Sequence, residues 1–240
     1  MATCSPRFPL RFYLRPAKIR SAVRRRIFMR RVTNGVELDT SIPVGWLGTG
    51  YGGWPIPVQL VRPDWVVHCI GAGMDVTFEL ELIERVGCDV YTCDPGDESA
   101  AYVRGQANPK LHFDQVAIWR TDGTLRMYQS PVTFPASLSA ANLDNGKATV
   151  EVPCRSLESL MAEHGHDHVD LLRYHAEGSE YEIFDPAMLR RLGVKILGMR
   201  FFHTVPARRA LRLIRRIEGE GYVPVAREWT GFTFVRRDLL

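Results

Sequence analysis

From residue 65 onward the chain alternates short apolar runs with stretches of helical periodicity. That alternation constrains the fold more than any other feature of the sequence. The run at 65–70 stops at Gly71-Ala72-Gly73, as a buried strand meeting a tight turn does. Residues 75–86 carry Phe78, Leu82 and Val86 at helical spacing, and Gly87 ends the pattern. A second strand at 89–93 ends at Asp94-Pro95, a helix follows at 98–106, and a third strand is expected at 111–119. Asp122-Gly123 is a turn signal before 124–128, residues 130–147 read as loop, and 148–152 is strand-like. Ser156 opens a helix that runs to about His164. Strands at 169–174 and 195–202 flank a helical stretch at 179–192 that is interrupted at Asp185-Pro186. A helix at 207–218 and a strand pair at 222–225 and 232–235 complete the pattern. Such a chain folds as an α/β protein, a mostly parallel sheet with helices on both faces. Its ligands bind beyond the carboxyl ends of the strands.

Two segments precede this domain, so the chain divides at 1–31, 32–64 and 65–240. Residues 32–64 are rich in Gly and Pro and read as an irregular approach segment. The first 31 residues hold ten basic side chains and no acidic one. The remainder has 21 basic side chains against 27 acidic, a net of −6. Ile19, Val23 and Ile27 recur every four residues between the arginines, an apolar stripe on a helix. Such a segment suits peripheral contact with an anionic membrane, although a solvated helix packed on the domain has the same pattern. A secretory leader does not fit, because arginines interrupt every apolar stretch. Nucleic acid is not an expected partner, since the acidic body offers no matching basic face. No apolar run approaches the ~20 residues that span a bilayer. At 45% hydrophobic and 24% charged, the composition excludes a disordered or collagen-like chain. Five cysteines without a CxxC pair read as reduced thiols of a cytoplasmic protein.

The glycines of Gly71-Ala72-Gly73 allow a ligand to approach the backbone closely, and the helix start that follows offers free N–H groups. Asp94 ends the next strand, where a carboxylate can accept both ribose hydroxyls. Together they indicate a nucleoside cofactor. A dinucleotide site would place a third glycine at Val76, which argues against a nicotinamide cofactor.

Longer stretches carry a resemblance. Val66-Val67-His68-Cys69-Ile70-Gly71-Ala72-Gly73-Met74-Asp75 looks like a first methyltransferase motif, and Asp89-Val90-Tyr91-Thr92-Cys93-Asp94-Pro95 like a ribose-binding strand. Val116-Ala117-Ile118-Trp119 looks like the third strand. His166-Asp167-His168-Val169-Asp170-Leu171-Leu172-Arg173, running into Ala176-Glu177-Gly178-Ser179-Glu180-Tyr181-Glu182, is the most specific stretch. These resemble the FkbM-type S-adenosylmethionine-dependent methyltransferases over roughly residues 45–236, and Tyr51-Gly52-Gly53-Trp54 fits a subgroup of them. The resemblance implies a class I methyltransferase-like Rossmann fold, with a seven-stranded, mostly parallel sheet and an antiparallel C-terminal strand. It implies S-adenosylmethionine as cofactor and O-methylation of a hydroxyl on a sugar, glycolipid or secondary metabolite. The residues expected at the cofactor are Tyr51, Gly52, Gly71, Ala72, Gly73, Asp94, Ala117 and His175.

Three positions depart from the family pattern. Cys69 stands where an acid is usual, His175 replaces an Asp after the fourth strand, and Arg200-Phe201-Phe202 replaces Glu-Phe-His. These departures keep open an alternative, a catalytically impaired binding or interaction protein. The catalytic candidates are His175 as base, His203 as a second base, and Glu177 to orient the base or bind the acceptor. His175 could equally serve as a hydrogen-bonding group in the cleft. Glu177 and Glu180, three apart, would share one face of a helix start. His164, His166 and His168 read as turn residues, and no metal is expected.

Overall fold

The computed structural model describes residues 16–129, 138–140, 149–203 and 205–240, with side chains from residue 23. The first half of the basic segment, Cys4, most of the 130–147 loop and Thr204 lie outside the described residues.

The chain enters through α1 (Pro16–Asn34). A small antiparallel hairpin follows, β1 (Gly45–Leu47) with β2 (Trp54–Ile56), in the stretch expected to be irregular. Leu47, Trp54 and Ile56 of this hairpin are buried. Then come β3 (Val67–Ile70), α2 (Thr77–Val86), β4 (Val90–Cys93), α3 (Asp97–Arg104) and β5 (Leu111–Asp114).

The third strand is shorter than its sequence suggested. It breaks after Asp114, and Ala117–Ile118 (β6) leaves to join a second sheet. That sheet holds four strands, in the order β6, β9 (Thr149–Arg155), β7 (Gly123–Gln129) and β8 (Leu138–Ser139). The polar pair Asp114-Gln115 interrupts the stretch at 111–119, and the chain changes sheet there.

The chain continues through α4 (Leu157–Glu163), capped by the Ser156 hydroxyl, and β10 (Leu171–Tyr174). It proceeds through α5 (Glu180–Ile183), α6 (Ala187–Arg191), β11 (Ile196–Arg200), α7 (Ala207–Gly219), β12 (Tyr222–Glu228) and β13 (Gly231–Arg236). The main sheet has seven strands in the order β12-β13-β11-β10-β3-β4-β5. β13, the last in sequence, is the reversed strand, antiparallel to both β11 and β12. This is the expected class I methyltransferase-like sheet, seven-stranded and mostly parallel, with the reversed C-terminal strand wedged between β11 and β12.

Strand periodicity sorts the core into two layers. Leu172, Leu197 and Phe234 pack with α1, α4, α6 and α7 on one face. Their chain neighbours Leu171, Ile196 and Val235 pack with the hairpin and α2 on the other. Both faces are covered, as a parallel sheet requires. Cys69, Cys88, Cys93 and Cys154 are free and buried. Among the described residues no helix is long and apolar enough to cross a membrane.

Candidate active site

A cavity of about 1190 Å³ opens at the carboxyl ends of β3, β4, β10 and β11. The glycine loop forms its floor. Gly71 has φ +87°, and a Cβ there would stand 2.2 Å from the His175 carbonyl oxygen. Only glycine lets this loop cross the end of β10. The N–H groups of Gly71 and Ala72 both donate to the Cys93 carbonyl, at 2.9 and 3.1 Å, which ties the loop to the end of β4. The Gly73 N–H donates to Asp94 Oδ2 at 2.9 Å, and the Gly96 N–H to Asp94 Oδ1 at 2.9 Å. Asp94 is thus aimed by two backbone donors. A carboxylate has about four acceptor positions, so it retains capacity for a diol. Ala117 and Ile118 add an apolar wall beside it.

The Tyr51-Gly52 loop forms a second edge, organised by Asp75. Asp75 Oδ2 accepts from the Thr49 hydroxyl at 2.5 Å and the Gly52 N–H at 3.1 Å, and Oδ1 from the Thr77 N–H at 3.0 Å. Burial raises its carboxyl, but these hydrogen bonds outweigh burial and hold it below the usual range. Gly52 touches this carboxylate so closely that a Cβ would lie 2.4 Å from its carbon. Tyr51 lines the cavity rim with its side chain 82% exposed.

Beneath the Gly52 loop lies an ion pair that the sequence reading did not anticipate. Arg173 Nη1 donates to Glu79 Oε1 at 2.8 Å, with both side chains buried, and Nη2 donates to the Gly52 carbonyl at 3.1 Å. The guanidinium also lies over the Trp54 and Phe78 rings. Burial pushes the Glu79 carboxyl up, and Arg173 pulls it back. Glu79 is one of three glutamates in α2, and nothing local marks it as the buried one. Arg200 stacks on Trp54 as well, with Nη2 4.0 Å from Glu228 Oε2.

His175 lines the cavity at the end of β10, its ring 5.5 Å from Phe202. Burial, then the guanidiniums of Arg200 and Arg173, hold its imidazole well below the usual value. His203 stands exposed at the rim, 6.4 Å from the Phe28 ring of α1. Glu177 also lines the cavity.

Glu177 and Glu180 do not share a helix face. Glu177 has φ +44° and lies in the turn before α5, which begins at Glu180. Glu180 is buried, accepting the Gly178 N–H and the Phe202 N–H, each at 2.7 Å. It therefore clamps the loops after β10 and β11 together. Burial pushes its carboxyl up to about 7, against the pull of those backbone donors. The turn is bent by Gly178, so spacing in the sequence misplaced the pair.

The histidine turn lies away from the cavity. His166 Nδ1 meets His68 Nε2 at 3.0 Å, and His164 Nε2 meets Asp114 Oδ2 at 2.8 Å. His168 is shared by Asp167 and Asp170. Among the described residues no group of three or more His, Cys, Asp or Glu is arranged to hold a metal.

A family model described as the methyltransferase FkbM domain matches residues 69–224. The chain belongs to the FkbM methyltransferase family. The glycine loop, Asp94, Ala117, His175 and Glu177 all fall within the matched region, whereas the Tyr51-Gly52 edge lies upstream of it. No curated protein sequence matches this family member. Two solved structures are similar to it over 88% of its length. One is EvdMO1, at 12% identity and a TM-score of 0.35. The other is the N-terminal domain of human METTL16 in complex with SAH, at 13% identity and a TM-score of 0.40. The chain spans 46% of the EvdMO1 chain and 80% of the METTL16 chain. At that level of similarity neither adds to the family assignment.

Sequence reasoning missed a further part of the cavity wall. Arg25, Phe28 and Met29 of α1 line it, as do Met127 and Val152 of the second sheet and Trp229 of the β12–β13 turn. These residues come from segments remote in the chain, so no local motif marks them.

Proposed function

We propose that this FkbM-family protein uses S-adenosylmethionine to methylate a hydroxyl group of a sugar, glycolipid or secondary metabolite. The observation that carries this reading is the Asp94 carboxylate, held by the Gly73 and Gly96 N–H groups beside Gly71, where a Cβ would strike the His175 carbonyl. These residues fit a nucleoside. Asp94 would accept the ribose diol, Gly71–Gly73 would let the backbone approach, and Ala117 would pack on the base. The Gly52 loop would border the amino-acid end. When bound, the cofactor supplies an activated methyl group, so the protein needs chiefly to hold the acceptor oxygen in line.

His175, which lines the cavity, would receive the hydroxyl proton. Burial and the guanidiniums of Arg200 and Arg173 favour its neutral imidazole, in which a ring nitrogen can accept a hydrogen bond from the acceptor hydroxyl. The same suppressed basicity favours a second reading, a protein that binds the cofactor without efficient turnover.

Calorimetric titration with S-adenosylhomocysteine tests the site. Saturable binding that Asp94→Ala removes, with no binding of NAD, is the expected result. Absence of binding by the intact protein overturns the proposal. Turnover with a glycan acceptor separates the two readings.

A further inference from the structure

Helix α1 presents two different apolar stripes, and the body of the protein uses only one. Phe28 and Val32 are buried against α7, where Gly35 approaches Leu211 so closely that a Cβ would lie 2.8 Å from it. Val23 and Ile27 are instead 51% and 48% exposed. At 100° per residue this second stripe lies about 140° round the helix from the first. Arg24, Arg26, Arg30 and Arg31 are exposed and flank it on both sides, within about 80°. Helix α7, packed against α1, carries a second basic stripe. Arg208, Arg212 and Arg215 are exposed and form a stripe beside Leu211. Among the described residues none of these seven arginines has an ion-pair partner within 4.0 Å, whereas Arg209 and Arg216 of the same helix pair with Glu182 and Asp185.

Two exposed apolar side chains in a field of unpaired guanidiniums match an anionic lipid surface. The aliphatic groups enter the headgroup boundary and the arginines meet phosphate. The opposite side of the same helix turn walls the cavity, through Arg25, Phe28 and Met29. Trp46, Tyr51 and Trp229, all exposed, line that cavity too. Aromatic side chains of this kind favour the membrane–water interface.

We propose that the outer face of α1, with the α7 stripe, docks on an anionic phospholipid bilayer. The docking does not depend on the cofactor, so it stands or falls separately from methyl transfer.

The test is flotation of the full chain with phosphatidylcholine vesicles, with and without phosphatidylglycerol. The expected result is recovery with the anionic vesicles only, reduced by high salt. The double variant Val23→Asp/Ile27→Asp should bind about tenfold more weakly, and Arg208→Glu/Arg212→Glu/Arg215→Glu should also lose binding. Both variants should melt at the wild-type temperature and keep the wild-type response to S-adenosylhomocysteine, because none of these side chains lines the cavity. If the first double variant does not fold, the triple variant decides alone. Absence of wild-type flotation, equal binding to neutral vesicles, undiminished binding by the folded variants, or displacement from vesicles by duplex nucleic acid would each overturn the proposal.

Discussion

Arg173 and Glu79 meet at 2.8 Å with their side chains 4% and 0% exposed, and the same guanidinium reaches the Gly52 carbonyl. The pair joins strand β10 to helix α2 and to the loop at the cavity edge. Removing one partner leaves the other charge buried. Arg173→Leu should therefore destabilise the fold by about 3–5 kcal/mol. The double change Glu79→Leu/Arg173→Leu should recover much of that loss. Denaturant melts of both variants check this, and a double variant no better than the single one would contradict it.

The glycine loop offers a graded comparison. Gly71→Ala drives a Cβ to within 2.2 Å of the His175 carbonyl, at φ +87°. Gly73→Ala meets nothing within 4 Å, at φ +57°. Gly73→Ala should cost about 1 kcal/mol of backbone strain, and Gly71→Ala distinctly more, with S-adenosylhomocysteine binding lost. Equal effects of the two changes would mean that the loop gives way easily.

Glu180 and His68 predict opposite pH slopes. Glu180 titrates at about 7 when folded, above its ordinary 4.5, so the folded state holds the extra proton between those values. Its contribution is complete below 4.5 and is lost as pH rises through 7, an effect of about 3 kcal/mol. Burial, then the neighbouring His166 and His164, lower His68 from 6.5 to about 3. Its contribution is complete above 6.5 and is lost as pH falls toward 3. Between 4.5 and 6.5 the two slopes oppose each other. His68→Phe keeps a ring against Tyr91, which stacks on His68 at 5.4 Å. This variant should lose less stability than wild type on acidification. Melting curves at pH 4.5, 6 and 8 measure the difference, and parallel profiles would count against it.

His175 should show its role in kinetics rather than in binding. His175→Ala should lower kcat by about 10²–10⁴ if the imidazole accepts the proton. Burial and the neighbouring guanidiniums lower its imidazole, so any loss of rate through protonation of His175 should set in at lower pH than for an ordinary histidine. A variant with wild-type kcat would make the histidine a spectator.

Short-range patterns made much of this legible. Gly71, Asp94 and His175 each sit directly after a strand, and a strand end is marked locally by apolar residues stopping at Gly, Asp or His. Their convergence then follows from the topology of a parallel sheet. Glu177 and Glu180 show the limit of such reasoning. Helical spacing placed them together, but the turn at Gly178 separates them, and Glu180 answers to Phe202, which is 22 residues away.

What the sequence determined by itself was the order of strands and helices, the glycine turn with its carboxylate, and the asymmetry of charge, because each is written in neighbouring residues. Tertiary structure alone decided that β6 leaves the main sheet and that Glu79 meets Arg173. It also decided which stripe of α1 is buried. Both Val23 with Ile27 and Phe28 with Val32 have helical periodicity. Periodicity identifies a face but not its partner, and only the approach of α7 covers one stripe and leaves the other in solvent.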